Sequence, residues 1–288
     1  MQPAYHRPST ITEALALKRA EPAARFIAGG TDILVQMRKR RTPPAPLISL
    51  NNVVELRGVA IGDKIIRIGA ATPLADLLQH DALCAELPAL AMALATLASQ
   101  QIRNVATAGG NLCNASPCAD PAPALMVHDA KVELARDHSK REVPLPAFLV
   151  GPGRTTREPD ELVSAIVVPR PSKGARSAFL RHGRVAMDLS LASVAVLVEL
   201  DGRLASRVRV CAGAVGPVPM RLVSTEALLQ GRTLDAEAVR VAAEDAAHAC
   251  APINDLRASA NYRRRLVRVL LERALTIALG NQEASRAV

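Results

Sequence analysis

A chain of 288 residues with 49% hydrophobic and 22% charged content is long enough for two or three small domains with buried cores, and it carries no low-complexity tract that would argue for disorder. No run of about eighteen uncharged apolar residues offers a membrane span. The formal charge of +9 invites a nucleic-acid reading, but aromatics are only 2% and tryptophan is absent, so the stacking side chains that usually accompany basic binding surfaces are missing.

In chain order, Thr10 to Ala20 is amphipathic, with Thr10 or Thr12 as its N-cap, and FIAGG from Phe26 to Gly30 reads as a buried strand entering a glycine turn. Leu47 to Leu50 is a further strand, which together with the first suggests a parallel β-α-β unit. VAIGDKIIRIGA predicts a hairpin around Gly62 and Asp63, and Thr72 to His80 a short helix opened by Thr72-Pro73. Pro88 opens another helix, with Leu90, Leu94 and Leu97 on one face. KVEL from Lys131 and ELVSAIVVP from Glu161 to Pro169 are strands, and the Pro/Ser/Lys/Gly stretch at Pro171 to Gly174 marks a domain boundary.

Beyond it, LASVAVLVEL, Asp201-Gly202 and RVRVCAGA predict a hairpin with a type I′ turn. Helices follow at Asp235 to Ala249 and at Ser259 to Leu279. The second is expected to bury Tyr262, Leu266, Val269, Leu270 and Ile277, to stop at Gly280 and to leave a loose tail. The three arginines at Arg263 to Arg265 must splay around the helix, and the basic cluster Arg38 to Arg41 reads as a solvated turn. The fold class is α+β in three parts: 1–52, 53–172 and 173–288. The opening MQPAYHRPST lacks a basic-then-apolar signal, so the chain reads as cytoplasmic.

Two Gly-Gly turns stand out, AGGTD at Ala28 to Asp32 and TAGGN at Thr107 to Asn111. Paired glycines let backbone N–H groups approach an anion with no Cβ in the way, and successive amides form a nest suited to a diphosphate. Thr31, Asn111 and Ser116 add hydroxyl or amide donors, and Asp120 can accept from a sugar hydroxyl. Neither turn matches G-x-G-x-x-G or a Walker lysine loop. The five cysteines are an odd, scattered set that reads as reduced thiols; Cys113 and Cys118 lack the second pair that a zinc or iron–sulfur site needs. The six histidines show no H-E-x-x-H spacing, and Ser116 lacks a G-x-S-x-G elbow, so no metal site and no catalytic residue is assigned; His182, beside Arg181, is the histidine to test for closeness to a bound cofactor.

GGNLCNASPCAD resembles the G-G-N-x-x-x-x-S-P-x-x-D motif of the flavin-binding subunits of molybdenum hydroxylases, the family of xanthine dehydrogenase and aerobic carbon monoxide dehydrogenase. FIAGGTDIL is similar to that family's first FAD loop. The resemblance continues in order through ELVSAIVVP, FLRHGRVAMD, the segment Gly213 to Arg221 and PINDLRASANYRRRL. It implies a two-subdomain FAD-binding fold of the PCMH or vanillyl-alcohol-oxidase type, followed by a small C-terminal domain with a three-stranded antiparallel sheet. FAD would rest on Ile27, Ala28, Gly29, Gly30, Thr31, Asp32 and Ile33, and on Thr107, Ala108, Gly109, Gly110 and Asn111. Ser116 and Asp120 would reach its flavin-side hydroxyls, while Leu97, Val163 and Arg181 would lie near the ring.

Leu97 stands where some relatives place an aromatic residue, and Arg181 where many carry lysine; arginine keeps the charge but docks through a planar fork. The cysteine-bearing insertion of the benzoyl-CoA reductases is missing. The role implied is electron transfer: electrons arrive from the [2Fe–2S] clusters of a small iron–sulfur subunit, fed by a large subunit with a molybdopterin cofactor, and leave to NAD, a quinone or a similar acceptor. The assembly implied is a dimer of heterotrimers. The alternative is a stand-alone flavin oxidase or reductase of the same fold.

Overall fold

A computed structural model describes residues 4–39, 43–137 and 139–280. Arg40 and Arg41 of the basic cluster, His138 and the tail beyond Gly280 lie outside the described residues.

The first part is a three-stranded parallel sheet with Leu47–Ser49 between Tyr5–His6 and Arg25–Ile27. The helix Ile11–Ala20 covers it, capped by Thr10, whose Oγ1 accepts from the Glu13 amide at 3.1 Å. Ala14 and Leu15 pack there with Ile48 and Leu50. The same cluster takes in Val53, Leu56, Ala71 and Leu162, so the first sheet is seated on the second part of the chain.

The second part is a five-stranded antiparallel sheet in the order Val59–Ile61, Ile65–Gly69, Leu162–Pro169, Lys131–Arg136, Ser139–Pro144. Leu162–Pro169 is buried at every position except Pro169, as a largely apolar central strand requires, with Ser164 satisfied by Glu133. A bulge between Val163 and Ala165 breaks its pairing with Lys131–Arg136. Pro88–Thr96 buries Leu90 and Leu94, but Leu97 ends the helix in extended backbone (φ −80°, ψ 120°) and is only half-buried. The expected three-leucine face therefore stops one residue short.

The third part pairs Arg176–His182, Ala192–Asp201 and Leu204–Gly213 in one antiparallel sheet, the three strands expected, with the two-residue strand Met220–Arg221 added at the edge. The hairpin turn differs from the type I′ expectation. Asp201 pairs with Leu204 inside the ladder, and of the two loop residues only Gly202 has positive φ (+58°), the signature of a type II′ turn.

The helix Ala236–Ala249 is capped by Asp235, and Ala260–Ala278 by Ser259. The buried stripe of the latter is Arg263, Val267, Leu270, Leu271, Ala274, Leu275 and Ala278, rotated from the one expected; Tyr262 is exposed. The rotation is possible because the terminal nitrogens of Arg263 find acceptors inside the core, leaving only its buried Nε without a partner. Its guanidinium donates to the carbonyls of Leu191 (2.6 Å) and Ala214 (3.4 Å) and to Asp255 (2.9 Å). Phe179, Ala195, Leu197 and Cys211 of the third sheet join the core cluster of Leu90, Leu94, Leu125 and Met126. Among the described residues, no helix is long and apolar enough to cross a membrane.

Candidate functional site

A cleft of about 580 Å³ opens where the first sheet meets the second part of the chain, within the range of small-molecule and cofactor sites. Its walls include Ile27 to Ile33 from the first glycine bend and Thr107, Gly109, Gly110 and Asn111 from the second, with Val163 beside the strand bulge.

The two bends are built differently. After Arg25–Ile27 the chain turns through Gly30, whose φ of +73° is a left-handed conformation that glycine adopts without strain, into the short helix Ile33–Arg38. The amides of residues 28–33 donate to no acceptor among the described residues; the turn is closed instead by later donors, Leu34 N to Gly30 O (3.2 Å) and Gln36 N to Asp32 O (2.9 Å). The first bend thus presents successive uncommitted N–H groups. Gly29 serves another need, because a Cβ there would lie 2.0 Å from the Val105 carbonyl oxygen. Its missing side chain lets the two bends touch.

The second bend is the first turn of a helix, Ala108–Asn114, capped by Thr107. Its amides are already used. Ala108 N donates to Thr72 O (3.2 Å), Gly109 N to Ala70 O (2.8 Å), Gly110 N to Thr107 Oγ1 (3.2 Å) and Asn111 N to Thr107 O (3.0 Å). The expectation of a second amide nest is corrected from Ala108 to Asn111, whose amides are used internally, and this bend reaches the cleft through Thr107, the backbone of Gly109 and Gly110, and the Asn111 side chain. Gly109 is required by packing, since a Cβ would meet the Ala70 Cβ at 2.6 Å. Asn111 lines the cleft, and its buried Oδ1 has no hydrogen-bond partner. A buried amide oxygen left so is costly unless a donor from a ligand reaches it.

Ala108, Ser116, Leu97, Asp120 and Arg181 do not line this cleft. Ser116 Oγ accepts from the Cys118 amide at 3.3 Å. Asp120 and Arg181 form a buried ion pair, Arg181 Nη1 to Asp120 Oδ2 at 3.1 Å. Asp120 Oδ1 accepts from Ser190 Oγ at 2.6 Å, while Arg181 also donates to the carbonyls of Thr96 (3.0 Å) and Asp188. Burial pushes the Asp120 carboxyl up from its ordinary range, with Arg181 and Ser190 opposing. The pair sits next to Leu97 in the chain, because Thr96 supplies one of the carbonyls that hold the guanidinium.

Three cations on the cleft wall escaped the sequence reading: Lys18, Arg25 and Arg157. They lie on a helix, a strand and a loop, so no local motif joins them. Lys18 Nζ donates to the carbonyls of Pro22 and Ala24, both at 2.7 Å. Its ammonium is pushed below the usual lysine range by burial first and then by Arg157 and Arg25. Among the described residues Asp32 is the one carboxylate on the wall, and burial pushes it up. Gln36 Nε2 donates to Asn114 Oδ1 at 3.0 Å, tying the first bend's helix to the second's.

Cys113 also lines the cleft, a free thiol that burial pushes up. His182 lies off the cleft, edge-on to Tyr262 with ring centroids 6.4 Å apart. Among the described residues, no group of three or more His, Cys, Asp or Glu side chains is arranged to hold a metal ion.

Comparison with known proteins identifies the family. The family described as FAD binding domain in molybdopterin dehydrogenase matches residues 1–171, and the CO dehydrogenase flavoprotein C-terminal domain matches residues 177–278. The chain is 34% identical over 278 residues to the xanthine dehydrogenase FAD-binding subunit of Escherichia coli O157:H7, covering 96% of this chain and 95% of that one. It is 32% identical over 275 residues to the carbon monoxide dehydrogenase medium chain of Hydrogenophaga pseudoflava, covering 95% and 96%. A solved structure of the carbon monoxide dehydrogenase from that organism superposes with a TM-score of 0.93 over 97% of this chain and 98% of that one, at 32% identity. Quinoline 2-oxidoreductase of Pseudomonas putida 86 superposes with a TM-score of 0.92 at 25% identity, covering 98% of each.

Proposed function

The chain belongs to the FAD-binding subunits of the molybdenum hydroxylases, and from that premise we propose that it is the electron-exit subunit of such a complex. Electrons come from the [2Fe–2S] clusters of a small partner subunit and leave this chain to an external acceptor such as NAD or a quinone. A large partner subunit carries the molybdopterin cofactor, the three chains pair as a dimer of heterotrimers, and the complex works in the cytoplasm.

The residues present fit FAD. The observation that carries the reading is the first bend, where amides of residues 28–33 have no internal acceptor and face a cleft of sufficient volume. They would hold the diphosphate. The orphaned Asn111 Oδ1 and the Thr107 hydroxyl would meet donors and acceptors of the bound molecule, and Val163 gives an apolar contact at the bulge. When bound, FAD supplies one- and two-electron redox chemistry. Arg181, clamped off the cleft by Asp120, Thr96 and Asp188, would supply a fixed cation to a flavin ring reaching beyond the cleft, with Asp120 offsetting part of its charge. The stand-alone enzyme has less support: among the described residues, Asp32 is the one carboxylate on the cleft wall and no histidine lines it to act as a base.

The test is purification from the native source. The expected preparation absorbs in the blue, yields FAD on denaturation, and brings down an iron–sulfur chain and a molybdenum chain. A preparation that stays colourless after incubation with FAD, or a fully active metal-free monomer, would overturn the proposal.

A further inference from the structure

The charge on the cleft wall is unbalanced in a way the backbone nest does not explain. Among the described residues, Lys18, Arg25 and Arg157 converge there against a single carboxylate, Asp32, and none of the three cations is paired with a carboxylate at ion-pair distance; nearby Asp160 is taken by Arg136 at 2.7 Å. Among the described residues the Arg25 side chain has no hydrogen-bond acceptor. Arg157 uses one terminal nitrogen, Nη1, on the carbonyls of Glu158 (3.0 Å) and Glu161 (2.8 Å), which fixes the guanidinium and leaves Nε and Nη2 uncommitted. Lys18 donates to Pro22 and Ala24. These two bonds brace the wall, and the ammonium adds charge and keeps a third N–H.

Convergent cations repel one another; burial first, and then Arg157 and Arg25, hold the Lys18 ammonium below its ordinary range, with Asp160 opposing. An anion of two charges placed among them relieves it, and free guanidinium forks match phosphate oxygens. Arg25 lies three residues before Ala28, where the uncommitted amides begin, so the same anion can be held from both sides.

We propose that Arg25 and Arg157, braced by Lys18, are the specificity determinants of this cleft for the adenosine-diphosphate half of its cofactor. The proposal rests on the flavoprotein reading above and adds that cofactor affinity comes largely from charge at the nucleotide end. ADP alone is then a ligand, and the flavin end is the weaker handle.

The full chain, freed of flavin, is titrated with FAD by fluorescence quenching and with ADP by competition, at about 50 mM and about 500 mM salt, a range over which exposed charge interactions are progressively screened. We expect ADP to displace FAD and the high-salt buffer to weaken FAD binding about tenfold or more. Loss of one charge-assisted hydrogen bond corresponds to roughly tenfold in affinity, so R25Q/R157Q should lose about a hundredfold for both FAD and ADP and most of the salt dependence. Arg157→Lys should keep the salt dependence, because it keeps the charge. Thermal melts show whether each variant is folded; if the double variant is not, R25Q and R157Q singly decide by the same readings. Failure of ADP to compete, or wild-type FAD affinity and salt response in the folded glutamine variants, overturns the proposal while leaving the flavoprotein reading intact. A wild-type chain that binds neither FAD nor ADP overturns both.

Discussion

The two Gly-Gly bends look alike in sequence and do opposite work in the fold. In the first, the backbone donors of residues 28–33 are left open and Gly30 supplies the positive φ that turns them toward the cleft. In the second, every amide from Ala108 to Asn111 is consumed by Ala70, Thr72 or Thr107, and the cleft sees Thr107, the backbone of Gly109 and Gly110, and the Asn111 side chain. A repeated glycine pair therefore announces close approach of backbone, but does not say to what. At Gly29 and Gly109 the approaching partner is another stretch of this chain, Val105 in one case and Ala70 in the other.

The largest effect should come from filling those contacts. A side chain at Gly29 would meet backbone at 2.0 Å, and backbone cannot rotate away as a flexible side chain can. Gly29→Val should cost about 3 kcal/mol or more of stability, at the upper end of overpacking, and release any bound flavin. Gly109→Val should cost about as much, since the Ala70 carbonyl lies 2.8 Å from its Cβ position. Thermal melts with and without FAD measure both; a Gly29 variant that melts like the parent would show that the bends do not need to touch. Gly30→Ala meets no backbone, only the ends of the Leu34 and Ile27 side chains at 3.0 and 3.3 Å, so its cost is conformational, about 1–2 kcal/mol for a residue held left-handed.

A subtler substitution separates the two bends by function. Asn111 offers an oxygen that the folded chain does not satisfy, so Asn111→Leu should leave the flavin-free melt unchanged or slightly raised. FAD affinity should fall about tenfold, the worth of one hydrogen bond made only with the ligand. The opposite pattern, a lowered melt with unchanged affinity, would place Asn111 among the structural residues.

Helix starts were legible because capping chemistry is local, and the hairpin was legible though its turn type was not. Thr10, Asp235 and Ser259 stand at helix starts within three residues of the amides they bind, and the apolar run from Leu162, interrupted only by Ser164, marks a central strand. The cationic wall was not legible, because Lys18, Arg25 and Arg157 acquire meaning only when three separate elements meet. Arg263 defeated the reading for a related reason. An arginine in a helical core stripe is tolerable only with acceptors at hand, and beside the nearby Asp255 its carbonyl acceptors, Leu191 and Ala214, lie about fifty residues or more away in sequence. The Asp120–Arg181 pair was anticipated as two residues near one ligand, and the structure adds that they hold each other.

The smallest effect tests the seam between the bends. Gln36 and Asn114 stand on the two short helices that follow the first and second bends, and their amide hydrogen bond spans 78 positions of sequence. Both line the cleft, where water can replace a lost partner, so Gln36→Ala should cost only about 1 kcal/mol in the flavin-free chain. If the bond also fixes the spacing between the open amides and Asn111, the loss should grow when FAD is present, because one ligand then has to bridge a looser gap. Paired melts give that difference directly, and Asn114→Ala should reproduce it without adding to it in the double variant. Additive losses, or equal losses with and without FAD, would mean that the spacing is set by Gly29 against Val105 and that the side-chain tie is incidental.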